Sequence, residues 1–169
     1  LLNFYVDFSL MSGFNFSNNT WDSKYTGENV PTNFWHLNKF YSATDNSLYF
    51  IGGYGHYNYK RDVQRYHFKD KKLSSVKTSG DFTPRYLAAL GATKNGAYIL
   101  GGYGSTTGQQ ILNPKNLYDL SFYDVEHKTF KKLFELNPRE EEFAFANSMV
   151  IDEKEQSYYA LTFVNHIFN

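Results

Sequence analysis

The sequence predicts an all-β chain built from four-stranded antiparallel units set along the arc of a β-propeller. Three observations predict it. The phrase Leu48-Tyr-Phe-Ile-Gly-Gly-Tyr-Gly55 returns as Ala97-Tyr-Ile-Leu-Gly-Gly-Tyr-Gly104, so that Gly52 and Gly101 lie 49 residues apart. A fixed period of about 50 residues marks a repeat architecture. Aromatic residues form 20% of the 169, mainly 16 Phe and 15 Tyr, and such side chains favour pleated, half-buried surfaces. The 12 Gly, with frequent Asn, supply the many turns an all-β chain needs.

The elements follow in order. Phe14 to Trp21 reads as the last two strands of one unit, which covers about residues 8–28. The first complete unit covers 36–80. His36 opens its first strand, Asp45-Asn46-Ser47 makes a turn, the second strand ends at Gly52-Gly53, a third begins at Asp62 and a fourth near Leu73. The second complete unit covers 85–137. Here Arg85 opens the first strand, Lys94-Asn95-Gly96 makes the turn, Gly101-Gly102 ends the second strand, Asp119–Val125 is the third and the fourth starts near Phe130. Asn-Gly between two apolar runs is a strong hairpin signal. A further pair of strands, Phe143–Ile151 and Ser157–Phe163, flanks the turn Asp152-Glu-Lys-Glu155 within a partial unit at 143–165, with Thr162-Phe163 in the slot of the glycine pair.

Counted back from the glycine pairs, His36 and Arg85 both lie 16 residues upstream, which makes them equivalent entries to an inner strand. A glycine pair at the end of an inner strand lets the backbone turn and lets neighbouring backbone approach. The loop from Ser105 to Lys115 is longer than its counterpart, and such insertions map to one face of a repeat protein, often the binding face. About three units are too few for a ring, which closes with typically 4–8. Further units are therefore expected, from a longer chain or from another copy, because an open ring leaves unpaired edges.

The bulk composition excludes several classes. Seventeen basic and 17 acidic residues cancel without a basic stripe, so no nucleic-acid partner is expected. There is no Cys, hence no disulfide, thiolate metal site or cysteine nucleophile. No apolar run of about 18 residues is present, so no membrane-spanning helix is expected. The five histidines, His36, His56, His67, His127 and His166, show no metal-ligand spacing, and no metal or cofactor is expected. Gly52-Gly-Tyr-Gly-His56 lacks the Gly-Lys-Ser/Thr ending of a phosphate loop. Asn15-Phe-Ser17 and Asn18-Asn-Thr20 match the glycosylation pattern, which matters only in a eukaryotic secreted protein. The Asn- and Tyr-rich, Cys-free composition leans towards a bacterial extracytoplasmic location.

Taken together, these residues resemble the kelch-repeat family of β-propellers, in the superfamily of the galactose oxidase central domain. Arg85 stands where the repeat has a basic residue opening the first strand, Gly52-Gly53 and Gly101-Gly102 where it has its glycine pair. Tyr123-Asp124 and Trp21 stand at its aromatic–Asp pair and its fourth-strand Trp. The resemblance runs from about residue 8 to 165. It departs at Leu73 and Phe130, which replace Trp, at Tyr66-His67, which replaces Tyr-Asp, and at Thr162-Phe163.

The resemblance implies that the inner-strand entries and the loops after the glycine pairs open on one face. The ligand-binding residues expected there are Trp35, His36, Tyr54, His56, Tyr57, Arg85, Tyr86, Tyr103 and Ser105. Aromatic faces stack on apolar sugar or side-chain faces, and polar groups bond hydroxyls or backbone. The expected function is a non-catalytic binding module for a protein, peptide or glycan, with no catalytic residue. One alternative is a sugar mutarotase or isomerase using Arg85, His36 and the Glu140–Glu142 loop; another is a structural or sensor segment of a larger surface protein. The copper and Tyr–Cys cofactor of galactose oxidase cannot be built by a chain without Cys.

Overall fold

The computed structural model describes residues 2–5, 10–22, 28–29, 34–138 and 143–164. Every regular element among them is a β-strand, and the strands pair antiparallel into sheets of two to four. The acidic run at 139–142 and His166 lie outside the described residues.

The N-terminal sheet comprises β1 (Leu2–Tyr5), β2 (Leu10–Asn15), β3 (Thr20–Asp22) and β4 (Glu28–Asn29), with β2 paired to the other three. The next stretch forms β5 (Asn38–Ser42), β6 (Ser47–Ile51), the short β7 (Tyr54–Gly55) and β8 (Asn58–Tyr59), β9 (Val63–His67) and β10 (Lys72–Val76). Of these, β5, β6, β9 and β10 make a four-stranded sheet in which sequence neighbours are spatial neighbours, while β7 and β8 form a separate hairpin. The pattern repeats in β11 (Arg85–Tyr86), β12 (Ala89–Ala92), β13 (Gly96–Leu100), β14 (Tyr103–Gly104), β15 (Lys115–Asn116), β16 (Asp119–Asp124) and β17 (Thr129–Glu135). Strands β12, β13, β16 and β17 form the second four-stranded sheet, and β11, β14 and β15 a small three-stranded one. The hairpin of β18 (Phe143–Asp152) and β19 (Ser157–Val164) follows.

Core formation follows from the period-2 alternation of strand side chains. Phe40, Tyr49, Ile51 and Val63 of the first four-stranded sheet pack on Ala97, Ile99, Tyr123 and Phe130 of the second. Leu100 and Leu120, alternating with those residues, lie on the opposite face and pack on Phe145 and Met149 of the C-terminal hairpin. Each joint thus sets one face of a sheet against the opposite face of the next. Strand β12 lies between β5 and β18.

The turn expected at Asn95-Gly96 forms, but the glycine serves a different purpose from left-handed turning. Thr93 N–H and its hydroxyl bond the carbonyl of Gly96, which already belongs to β13 and pairs with Asp124. A Cβ on Gly96 would lie 1.9 Å from the carbonyl oxygen of Tyr123, so glycine is required for the close approach of β13 to β16.

Candidate ligand-binding face

The glycine pairs position this face. Gly52, Gly53, Gly101 and Gly102 all have positive φ, between 66° and 104°. There the chain leaves its four-stranded sheet and pairs anew. Tyr54 exchanges backbone bonds of 2.7 and 2.9 Å with Trp35, and Tyr103 pairs with Tyr86. A Cβ on Gly52 would lie 2.6 Å from the carbonyl oxygen of Arg85, while Gly53 N–H donates to that same oxygen at 2.8 Å. The glycine pair of one sheet is therefore the seat for the strand that enters the next.

These pairings gather tyrosines from both sheets. Tyr59 and Tyr86 stack with ring centroids 5.7 Å apart, Tyr54 lies 5.6 Å from Tyr86, and Tyr103 meets Tyr59 edge-on at 6.0 Å. Burial, reinforced by the other tyrosines, pushes the Tyr59 phenol up to about 12, and the same causes raise Tyr86. Tyr59 and Tyr86 therefore stay neutral across the physiological range. The cluster extends outwards through His36, 5.8 Å from Tyr86, and through Trp35, 6.4 Å from His56.

The long loop of the second sheet braces this cluster. Gly108 accepts a bond from Tyr59 N–H at 2.7 Å, Tyr57 accepts one from Gln110 N–H at 3.1 Å, and the Tyr54 hydroxyl donates to Gln110 Oε1 at 2.5 Å. At the tip of the β7–β8 hairpin, His56 and Tyr57 both have left-handed φ, 53° and 62°. Neither is glycine, and L-residues in that region carry strain of about 1–2 kcal/mol each. Tyr57 is 78% exposed.

Not every expected site residue is presented. Trp35 is 42% exposed and His36 and His56 are exposed, while Tyr54, Tyr86 and Tyr103 are half-buried with their rings in the cluster. Ser105 is buried, and its hydroxyl donates to the carbonyl of Leu112 within the long loop. Arg85 is only 1% exposed. Its Nη1 and Nη2 bond Asp119 Oδ1 and Oδ2 at 2.8 and 3.0 Å, Nη1 also reaches the Gly101 carbonyl at 2.9 Å, and Nε reaches the Thr83 carbonyl at 2.9 Å. The guanidinium lies 4.6 Å over the Phe82 ring. A buried arginine with this bidentate pair holds the second glycine pair in place.

The equivalence of His36 with Arg85 is corrected for a physical reason. Four residues, 43–46, separate the closing pair Ser42–Ser47 of the first sheet. In the second sheet Thr93 already bonds Gly96, leaving two residues between them. Counting past the turn therefore slips by two, so Arg85 corresponds to Phe34 and His36 to Leu87. Both His36 and Leu87 have φ of 54°, the signature of the shared position.

His36 and Leu87 flank a cleft of about 500 Å³ that runs from Trp35 along β5 to Leu90 and to Asn147 and Ser148 of β18. Asn147 and Ser148 sit in a β-bulge between Phe145 and Met149, and a bulge re-aims side chains. The charged side chain of the lining is Lys39, whose ammonium is destabilised by burial, lowering its pKa. A neighbouring cleft of about 230 Å³ lies across Leu87, between Tyr86, Tyr103 and Phe145. Leu87, Lys39, Asn147 and Ser148 went unsuspected in the sequence; an alignment allowing unequal hairpins is the one signal that would have found Leu87. Among the described residues, no group of three or more His, Cys, Asp or Glu is arranged to hold a metal ion. No family model and no curated protein matches this chain.

Proposed function

We propose that the chain is an arc of a kelch-type β-propeller that works as a non-catalytic binding module. The ligand, a glycan or peptide in whole or as part of a larger protein, lies across the Trp35–His36–Leu87 cleft. The observation that carries this reading is the cleft itself. It is concave, its volume of about 500 Å³ falls within the usual range of ligand sites, and an exposed indole stands beside amide, hydroxyl, imidazole and ammonium groups. The indole offers a stacking surface, Asn147 and Ser148 offer hydroxyl- or backbone-bonding groups, and the Lys39 ammonium favours a ligand that carries an acidic group.

The propeller reading is supported by the like order of the two four-stranded sheets, by the glycine pairs at matching positions and by the adjacency of β5, β12 and β18. A sugar-isomerase reading is weaker, because the cation it relied on, Arg85, is engaged with Asp119.

Calorimetric titration against panels of neutral and uronic oligosaccharides and short acidic peptides tests the proposal. At least one class is expected to bind saturably. Truncation of a central Trp typically costs at least about 2 kcal/mol, or about 30-fold in Kd, so Trp35→Ala should weaken binding by that much. Leu87→Asp should also weaken it, with the circular dichroism of both variants unchanged. Binding that survives both substitutions would place the site elsewhere, and anomer exchange of a bound sugar faster than in buffer would replace the binding-only reading.

A further inference from the structure

The C-terminal hairpin and the N-terminal sheet are complementary halves of one unit. Hairpins β2–β3, β9–β10 and β16–β17 have the same design. The paired residues Phe14–Trp21, Tyr66–Leu73 and Tyr123–Phe130 occupy one slot in each. In each, four loop residues follow, and the last is left-handed: Asn19, Lys71 and Lys128 have φ of 54°, 51° and 56°. So β2 and β3 are the third and fourth strands of a unit. Likewise β18–β19 matches β5–β6. Both closing pairs, Asp152–Ser157 and Ser42–Ser47, enclose four residues, of which the last, Gln156 or Asn46, is left-handed at 49° or 48°. So β18 and β19 are the first and second strands of a unit.

Among the described residues β19 pairs only with β18, whereas its counterparts β6 and β13 carry a third strand on the other edge. That edge runs Ser-Tyr-Tyr-Ala-Leu-Thr-Phe-Val, eight residues without charge, Pro or Gly. Its side chains include Tyr159 at 64% and Leu161 at 75% exposure, with Val150 beside them on β18. A long, apolar, uncharged edge strand is a template for strand addition. The face of Tyr159 and Leu161 is the face that in both preceding sheets is covered by the next unit, as Tyr49 and Leu100 are. At the other end Trp21 is exposed, although its counterpart Phe130 is buried against the preceding unit.

We infer that β19 of one copy pairs with β2 of a second copy, completing a four-stranded sheet in the order β18, β19, β2, β3. Strand β1, which now occupies that edge of β2 with four residue pairs, gives way. The register of β6 against β9 transfers directly: Ser157 faces Asn15 of the second copy and Thr162 faces its Leu10, a ladder of six pairs in place of four. The strand exchange follows from the hairpin match alone. Its closure into a ring rests on the propeller reading: each copy brings two complete sheets and shares one at each joint, so two copies close six, within the typical 4–8.

The absence of Cys makes the test clean. Facing residues of an antiparallel pair lie about 4.5–5.5 Å apart at Cα, close enough for a disulfide. Mixing full chains carrying S157C or N15C under mild oxidation should give a covalent species of twice 19.7 kDa. Sedimentation of the unmodified chain should show the same dimer, and the double variant Tyr159→Lys with Leu161→Lys should sediment as a folded monomer. A chain that remains monomeric at high micromolar concentration overturns the inference. So does cross-linking of S157C with itself as readily as with N15C, which would mean that β19 pairs with β19. Neither readout depends on ligand binding, so failure here leaves the binding proposal standing and the reverse.

Discussion

Replacing Arg85 by Met should destabilise the fold by several kcal/mol while leaving the ligand cleft in place. The magnitude follows from what the guanidinium touches. It is buried and makes a bidentate pair with Asp119, itself almost fully buried, so solvent screens the pair little. Met fills much of the volume over Phe82 but leaves the Asp119 carboxylate, among the described residues, with one side-chain hydrogen bond, from the Ser121 hydroxyl at 3.1 Å. Removing one member of a buried pair typically costs about 3–5 kcal/mol. The carbonyls of Gly101 and Thr83 also lose their donors. Against a total stability of about 5–15 kcal/mol, that is a large share. Urea unfolding measures it through the midpoint. Arg85→Met with Asp119→Leu should recover most of the loss, because a buried pair exchanged for apolar residues is often neutral or better. A cost for Arg85→Met alone below about 1 kcal/mol, the level of a surface pair, would refute the structural role given to Arg85.

Other expectations are local. Tyr57→Gly removes a strained left-handed side chain and should stabilise the fold by about 1 kcal/mol in urea; a loss of stability would show that the tip is not strained. Gly96→Ala forces a methyl against the Tyr123 carbonyl and should cost about 3 kcal/mol or more, with β13–β16 amides losing hydrogen-exchange protection first. The side-chain bond from Asp124 raises the pKa of His127 above 6.5, and the bonds from the His127 backbone and ring hold Asp124 below 3.8. The histidine's contribution to stability is thus present below pH 6.5 and lost as pH rises through its raised pKa. The aspartate's is present above 3.8 and lost as pH falls through its lowered one. An NMR titration should place His127 above 6.5, and Asp124→Asn should bring it down; an unmoved His127 contradicts the pairing.

The strands were legible because their pattern is local. Alternation and aromatic content mark β6, β9, β13 and β16, and the repeated glycine pair marks where each second strand ends. The turn at Asp152 was equally plain, and its carboxylate accepts the N–H groups of Lys154 and Glu155. What sequence could not show depends on partners far along the chain. Arg85 looked like a ligand residue because Asp119, 34 residues later, is what buries and neutralises it. The slip between His36 and Leu87 comes from hairpins that differ by two residues, invisible to an ungapped comparison. Tyr59 sits at the centre of the aromatic cluster because Tyr86 and Tyr103 are brought to it by another sheet. Asn147 and Ser148 reach the cleft through a bulge that no local pattern announces.

The central claim is that a ligand lies against Trp35. The chain has two tryptophans, so Trp21→Phe leaves Trp35 as the single indole reporter. Titrating that variant with a ligand identified by calorimetry should give a saturable change in tryptophan emission. Its midpoint should equal the calorimetric Kd, and Leu87→Asp should shift it in parallel. Saturable calorimetric binding with Trp35 emission unchanged would contradict the claim.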